Sequence, residues 1–168
     1  MTYTEDALVE QPAINLFSEL NWDTVTCWDE IFGSLDDANL ADNPLFFGRE
    51  TRNDVVLFAR LKAALLKLNP DVSKLIIQEA IDEIARDRSA MTPIAANEEV
   101  YGLLTNGYVY ITNAEDEDDC VVRYVDWSSA CNNDFLLCSQ MSISGEIETR
   151  RPDLIGFVNG LPIVFIEL

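Results

Sequence analysis

The chain has 168 residues, 48% hydrophobic and 24% charged, with a net charge of −19 from 30 acidic and 11 basic side chains. That length can bury a core without disulfides or a structural metal, and the composition is too apolar for a disordered chain. The charge speaks against an unaided grip on nucleic acid, whose phosphates bind Lys and Arg, and the absence of histidine removes Ser-His and Cys-His dyads and every His-ligated metal.

The first residues, Met1 to Asp6, have neither the basic nor the apolar region of a secretion signal. No run approaches the roughly 20 apolar residues of a membrane span, so a cytoplasmic protein with no membrane partner is expected. Thr2 and Thr4 are candidate N-caps, and Ala13, Leu16, Phe17 and Leu20 share one helical face, which predicts a first helix over 1–21. Pro12 predicts either a kink or a helix that starts properly only near Glu10.

Residues 22–53 are irregular, with Gly33, Asp36-Asp37, Asn43-Pro44 and Gly48 as breakers, and read as a loop or insertion. A helical segment follows over 54–106. One helix runs from a cap at Asn53 to Leu68, where Asn69-Pro70 stops it. A second is capped by Asp71, and a third, Ala95 to Leu104, is closed by Asn106-Gly107. The four cysteines, Cys27, Cys120, Cys131 and Cys138, form no CxxC pair and are expected as free, mostly buried thiols.

Strands are predicted over 107–168. Tyr108–Thr112, Val121–Val125 and Phe135–Cys138 are rich in β-branched and aromatic residues. The carboxylate run Glu115–Asp119 lacks the glycine and ligand spacing of a calcium loop and reads as a solvated hairpin tip. No phosphate-binding loop is present. The whole reads as one α/β domain over 1–168, a mixed or antiparallel central sheet flanked by helices, with a helical insertion before the sheet.

The stretch Arg150 to Leu168 is the most informative. Two apolar runs, Leu154–Val158 and Ile163–Ile166, flank Asn159-Gly160, the strongest short hairpin signal, and Pro162 fits only an edge strand or a strand start. Continuous apolarity predicts that both faces of the hairpin are covered. Each run carries one carboxylate at its far end, Asp153 and Glu167. Read from spacing alone, these acids either bind a hard cation such as Mg²⁺ or are ordinary surface groups, Asp153 paired with Arg150 or Arg151 and Glu167 solvated.

Pro152-Asp153 followed by Glu167-Leu168 resembles the PD-(D/E)xK nuclease signature, interrupted before its Lys. The phrase from Arg151 to Leu168, with its Phe157-Val158-Asn159-Gly160-Leu161-Pro162 connector, resembles the hairpin of the restriction (R) subunits of type I restriction-modification enzymes. Glu10 with Leu16, Leu20 and Trp22 resembles that family's first helix, and Asp126-Trp127, Asn133-Asp134-Phe135 and Gln140 its strands before the hairpin.

The resemblance implies a PD-(D/E)xK restriction-endonuclease-like core and Mg²⁺-dependent cleavage of double-stranded DNA. Asp153 and Glu167 would hold the metal, Glu10 would complete the catalytic set, and Gln140 and Arg151 would support it. It also implies ATP-driven translocation by motor domains elsewhere in the parent subunit, and modification (M) and specificity (S) subunits as partners. The family's Lys would follow Leu168, so the 168-residue fragment is expected not to cleave alone. A non-catalytic acidic α/β module that binds a protein or mimics DNA is the competing reading, and a junction resolvase or repair nuclease of the same superfamily is a further one.

One geometric requirement follows for the nuclease reading. If Asn159 and Gly160 alone set the register, Asp153 would face Ile166 and the two carboxylates would point to opposite sides of the sheet. A three-residue connection or a bulge is therefore expected, placing Asp153 opposite Glu167.

Overall fold

A computed structural model describes residues 6–34, 36–40, 43–111, 119–145 and 148–168. In chain order, a π-helical turn (Asp6–Glu10) leads into α1 (Gln11–Glu19) and β1 (Asp23–Thr26). The helices α2 (Phe58–Leu68), α3 (Lys74–Ile84) and α4 (Pro93–Asn106) follow. Then come β2 (Tyr108–Tyr110), β3 (Cys120–Val122), β4 (Phe135–Ser139), β5 (Ile143–Ser144), β6 (Thr149–Arg150), β7 (Leu154–Val158) and β8 (Leu161–Ile166). The chain divides into two compact units, Met1–Ala59 with Asp134–Leu168, and Arg60–Asn133.

The first unit is built on a four-stranded mixed sheet in the order β1-β4-β7-β8. β1 runs parallel to β4, while β4–β7 and β7–β8 are antiparallel. Side chains alternate between the faces. One face carries the core of Cys27, Leu57, Leu136, Cys138, Met141, Ile155 and Phe157. On the other, Trp22 lies between Phe17 and Phe135, with ring centroids 5.0 and 4.9 Å away, and Gly156 leaves room for it. A Cβ at Gly156 would come within 3.1 Å of the indole and 3.0 Å of the Val164 Cβ.

Three expectations are corrected here. The stretch 22–53, read as a loop, contains β1, so the helical segment is inserted between two strands of the sheet rather than ahead of it. β1 escaped notice because its four residues, Asp-Thr-Val-Thr, are mostly exposed and show no apolar run. The hairpin is not covered throughout: β7 is buried along its whole length, but β8 is the sheet edge and leaves Ile163 and Phe165 exposed. Continuous apolarity cannot tell a buried strand from an edge strand, whereas Pro162, which has no N–H to give to a neighbour, does mark an edge.

In the second unit, α2, α3, α4 and the antiparallel pair β2–β3 carry the buried side chains Leu61, Leu65, Ile77, Ala80, Ile81, Ile84, Val122 and Tyr124. Ser73 caps α3, accepting from the Ile76 N–H, two residues after the expected Asp71. Thr92 caps α4, and Gly107, at φ 84°, closes it as Asn-Gly predicts. The Tyr124 hydroxyl donates to the Ala80 carbonyl at 2.6 Å, and Asn69 joins the end of α2 to the backbone of Arg123 through both its amide atoms. Most of the acidic run Glu115–Asp119 lies outside the described residues. All four cysteines are free; Cys27 and Cys138 are buried, Cys120 is half-buried and Cys131 exposed. No helix among the described residues is long and apolar enough to cross a membrane.

Candidate functional site

The site is assembled where strands of the first unit end together. One continuous rung crosses the sheet through Thr26, Ser139, Leu154 and Ile166. Immediately beyond it lie Gln140 at the exit of β4, Asp153 at the entrance of β7 and Glu167 at the exit of β8.

The β7–β8 ladder starts from a two-residue turn. Asn159 at φ 53° and Gly160 at φ 79° have the left-handed geometry whose twist suits a tight hairpin. Val158 then faces Leu161 and Phe157 faces Pro162, but Gly156 faces Val164, so one residue of β8 is looped out as a bulge. The register arrives at Leu154 opposite Ile166, and one further step sets Asp153 opposite Glu167. The ladder thus carries the shift that the sequence reading requires.

Asp153 is half-buried and Glu167 exposed. The Asp153 Oδ2 accepts the Leu168 N–H at 2.8 Å, and its carbonyl accepts the Gln140 N–H at 3.1 Å. Neither neighbouring arginine is bound to it in the way the surface reading supposes. Arg150 pairs with Glu148, which raises its pKa chiefly through that hydrogen bond, with the Glu167 charge as a smaller contribution. Arg151 lays its guanidinium 4.3 Å from the ring centre of Trp28 and donates from Nε to the Ser142 hydroxyl at 3.2 Å. An arginine held over an aromatic face in this way has further N–H groups for an anion.

Glu10 ends the π-helical turn, directly before α1. Pro12 falls in the first turn of α1, where its missing N–H costs nothing, and Glu10 in front of it is half-buried. Its two carboxylate oxygens each lie 3.2 Å from the Gln140 Nε2. Both side chains line a cavity of about 580 Å³ with Thr24, Thr26, Trp28 and Ser139. Glu10 therefore reaches the strand ends through Gln140. Among the described residues no group of three or more acidic, Cys or His side chains stands close enough to hold a metal; the ladder carries Asp153 and Glu167 to neighbouring strand ends, and Glu10 bonds to Gln140.

Sequence reasoning missed the pair beneath this site. Arg49 is fully buried and donates to Glu30 Oε2 at 2.7 Å, and to the carbonyls of Asp54, Arg52 and Ser142 at 2.7, 3.0 and 2.8 Å. The Glu30 side chain is 2% exposed, and burial raises its pKa against the opposing pull of Arg49. The one signal was an arginine directly after the apolar Leu45-Phe46-Phe47 patch and Gly48. Through the Ser142 carbonyl, Arg49 anchors the segment between Gln140 and Arg151.

Comparison with known proteins matches residues 2–168 to the family described as the type I restriction enzyme R protein N terminus. The chain is 34% identical over 136 residues to the type I restriction enzyme HindI endonuclease subunit of Haemophilus influenzae, covering 76% of this chain and 12% of that one. It is 27% identical over 132 residues to a putative type I restriction enzyme MjaIXP endonuclease subunit of Methanocaldococcus jannaschii, covering 74% and 12%. The chain thus spans about one eighth of the length of these curated relatives.

Proposed function

Because the chain belongs to the family of type I restriction enzyme R protein N termini, we propose that it is the DNA-cleaving part of such a subunit, a Mg²⁺-dependent endonuclease of PD-(D/E)xK type centred on Asp153 and Glu167. The observation that carries this reading is the bulge in β7–β8. A regular hairpin with the same turn would send the two carboxylates to opposite faces, and the looped-out residue corrects the parity where the chemistry needs it.

The donor set suits magnesium. Mg²⁺ takes hard oxygen ligands, keeps several waters, and is commonly held by one or two carboxylates together with substrate phosphate, so two carboxylates at adjacent strand ends, without a third, are sufficient. Bound there, the ion would supply Lewis-acid polarisation of a phosphodiester and a more acidic water nucleophile.

The chain's own residues set the rest of the site. The Leu168 N–H fixes one oxygen of Asp153. Arg151, held over Trp28, presents a cation for the DNA backbone beside the carboxylates. Glu10 supports the site from the cavity side as an acceptor for a water proton. A net charge of −19 repels DNA until other parts of the enzyme deliver it. In this reading these are the ATP-driven motor domains of the parent subunit and its modification and specificity partners, in the cytoplasm.

The test uses the complete R subunit assembled with its partners. Asp153→Asn and Glu167→Gln should each lower DNA cleavage at least about a hundredfold, the rate equivalent of several kcal/mol of lost charge stabilisation, with ATP hydrolysis on the same DNA unchanged. Cleavage by Asp153→Asn at the wild-type rate would sink the assignment and leave the acidic interaction module as the better reading.

A further inference from the structure

We propose that Gln140 is the positioning residue of this site: it holds Glu10 in place relative to Asp153 and acts only through that carboxylate. The inference rests on the nuclease reading above and adds a role for a residue outside the signature.

Three observations meet at Gln140. Its backbone is left-handed, at φ 58°, a conformation that glycine or asparagine adopts readily and a long unbranched side chain does not. Such strain persists where the surroundings compensate for it, and it collects at functional positions. The consequence is geometric. Leu137 and Ser139 line the 580 Å³ cavity as alternate residues of β4, and in an extended strand the next side chain would point to the opposite face. Gln140 nevertheless lines the same cavity, because the left-handed turn swings it back.

The second observation is what it finds there. Its Nε2 stands 3.2 Å from both oxygens of Glu10, a residue 130 positions earlier in the chain. The third is on the main chain, where the Gln140 N–H donates to the carbonyl of Asp153. One residue thus ties the acid on the π-helical turn to the acid at the entrance of β7. A π-helical turn is itself an uncommon device, frequent at functional sites, and here it ends on Glu10. Glycine at 140 would relieve the strain at the cost of the amide. Asparagine would tolerate the backbone, but its arm is one methylene too short.

The proposal is tested by a double-mutant cycle in the assembled enzyme. Gln140→Gly should lower the cleavage rate by up to about a hundredfold, the scale expected when a reacting group is displaced by an ångström. Its thermal unfolding midpoint should be equal to or higher than wild type, which a merely structural role would not allow. Gln140→Asn should behave as Gln140→Gly in cleavage and guards against misfolding of the glycine variant. In a Glu10→Ala background, Gln140→Gly should change the rate by less than about twofold, because the group it positions is gone. Wild-type cleavage by Gln140→Gly and Gln140→Asn, or losses that multiply in the double variant, would overturn the proposal. Failure of the nuclease reading is separately visible as undiminished cleavage by Asp153→Asn.

Discussion

Replacing Arg49 by methionine keeps most of the apolar volume of the side chain and removes every charge-assisted hydrogen bond it makes. The guanidinium is fully buried, and its loss strands a Glu30 carboxylate whose side chain is 2% exposed, together with the carbonyls of Asp54 and Ser142. Removing one partner of a buried ion pair costs about 3–5 kcal/mol, against a total stability of about 5–15 kcal/mol for a domain. For a chain of this length each kcal/mol shifts the unfolding midpoint by about 2–4 °C, so Arg49→Met should melt roughly 6–20 °C below wild type. Glu30→Gln added to Arg49→Met should recover part of the loss, because the stranded charge is the costly element. The pH dependence has a definite sign. Burial raises the Glu30 pKa above its ordinary 4.5, so the folded state holds a proton that the unfolded state releases. The stability from this group is full below 4.5 and is lost as pH rises through the raised value. Without Arg49 the rise is larger, and Arg49→Met should be least destabilised at mildly acidic pH. Urea unfolding of both proteins from pH 5 to pH 8 measures this. A difference below about 1 kcal/mol, or one that shrinks toward pH 8, would refute the reasoning.

Two further predictions concern the hairpin. Gly156→Ala drives a methyl group to within 3.0–3.1 Å of the Val164 Cβ and the Trp22 ring. It should destabilise by about 1–3 kcal/mol, as overpacking does, with a red or blue shift of tryptophan fluorescence that a change elsewhere on the sheet would not give. Asn159→Ala removes the side chain whose Oδ1 accepts the Asp134 N–H at 2.7 Å and places a Cβ-bearing residue without Asn's tolerance at φ 53°. It should cost about 1–3 kcal/mol in urea unfolding and lower cleavage in the assembled enzyme beyond what stability explains, because it loosens the register that aligns Asp153 with Glu167.

What could be read in the sequence was local, and what could not was tertiary. The Asn159-Gly160 turn, the edge position of Pro162, the Asn106-Gly107 helix end and the need for a bulge all follow from residues within one hairpin or one helix turn. β1 is four half-polar residues whose only reason to be extended is β4, more than a hundred positions away, and no window on the sequence contains both. The Gln140–Glu10 contact is similarly remote. Its backbone geometry was illegible for another reason: glutamine carries no propensity for the left-handed region, so the conformation is imposed by the site and could not be inferred from the residue. Arg49 and Glu30 carry no mark of their pairing in the sequence, because burial of an ion pair depends on packing that only the fold supplies.

The far end of the hairpin explains why so small an irregularity matters. Asn159 binds Asp134 twice, donating its N–H to the Asp134 carbonyl at 2.8 Å and accepting the Asp134 N–H on Oδ1, and Gly160 accepts the Leu57 N–H at 2.9 Å. The turn is thus pinned to the start of β4, and the three strands β4, β7 and β8 share one origin. From there β7 runs five residues, roughly 17 Å, to the carboxylate end. With the turn pinned at one end and Asp153 tied to Gln140 at the other, neither β4 nor β7 can slip to change the parity. Only β8, the edge strand, has the freedom to loop out a residue, because it has no outer partner among the described strands whose ladder would be broken. The bulge lies where the sheet can accommodate it, and its effect is delivered at Glu167.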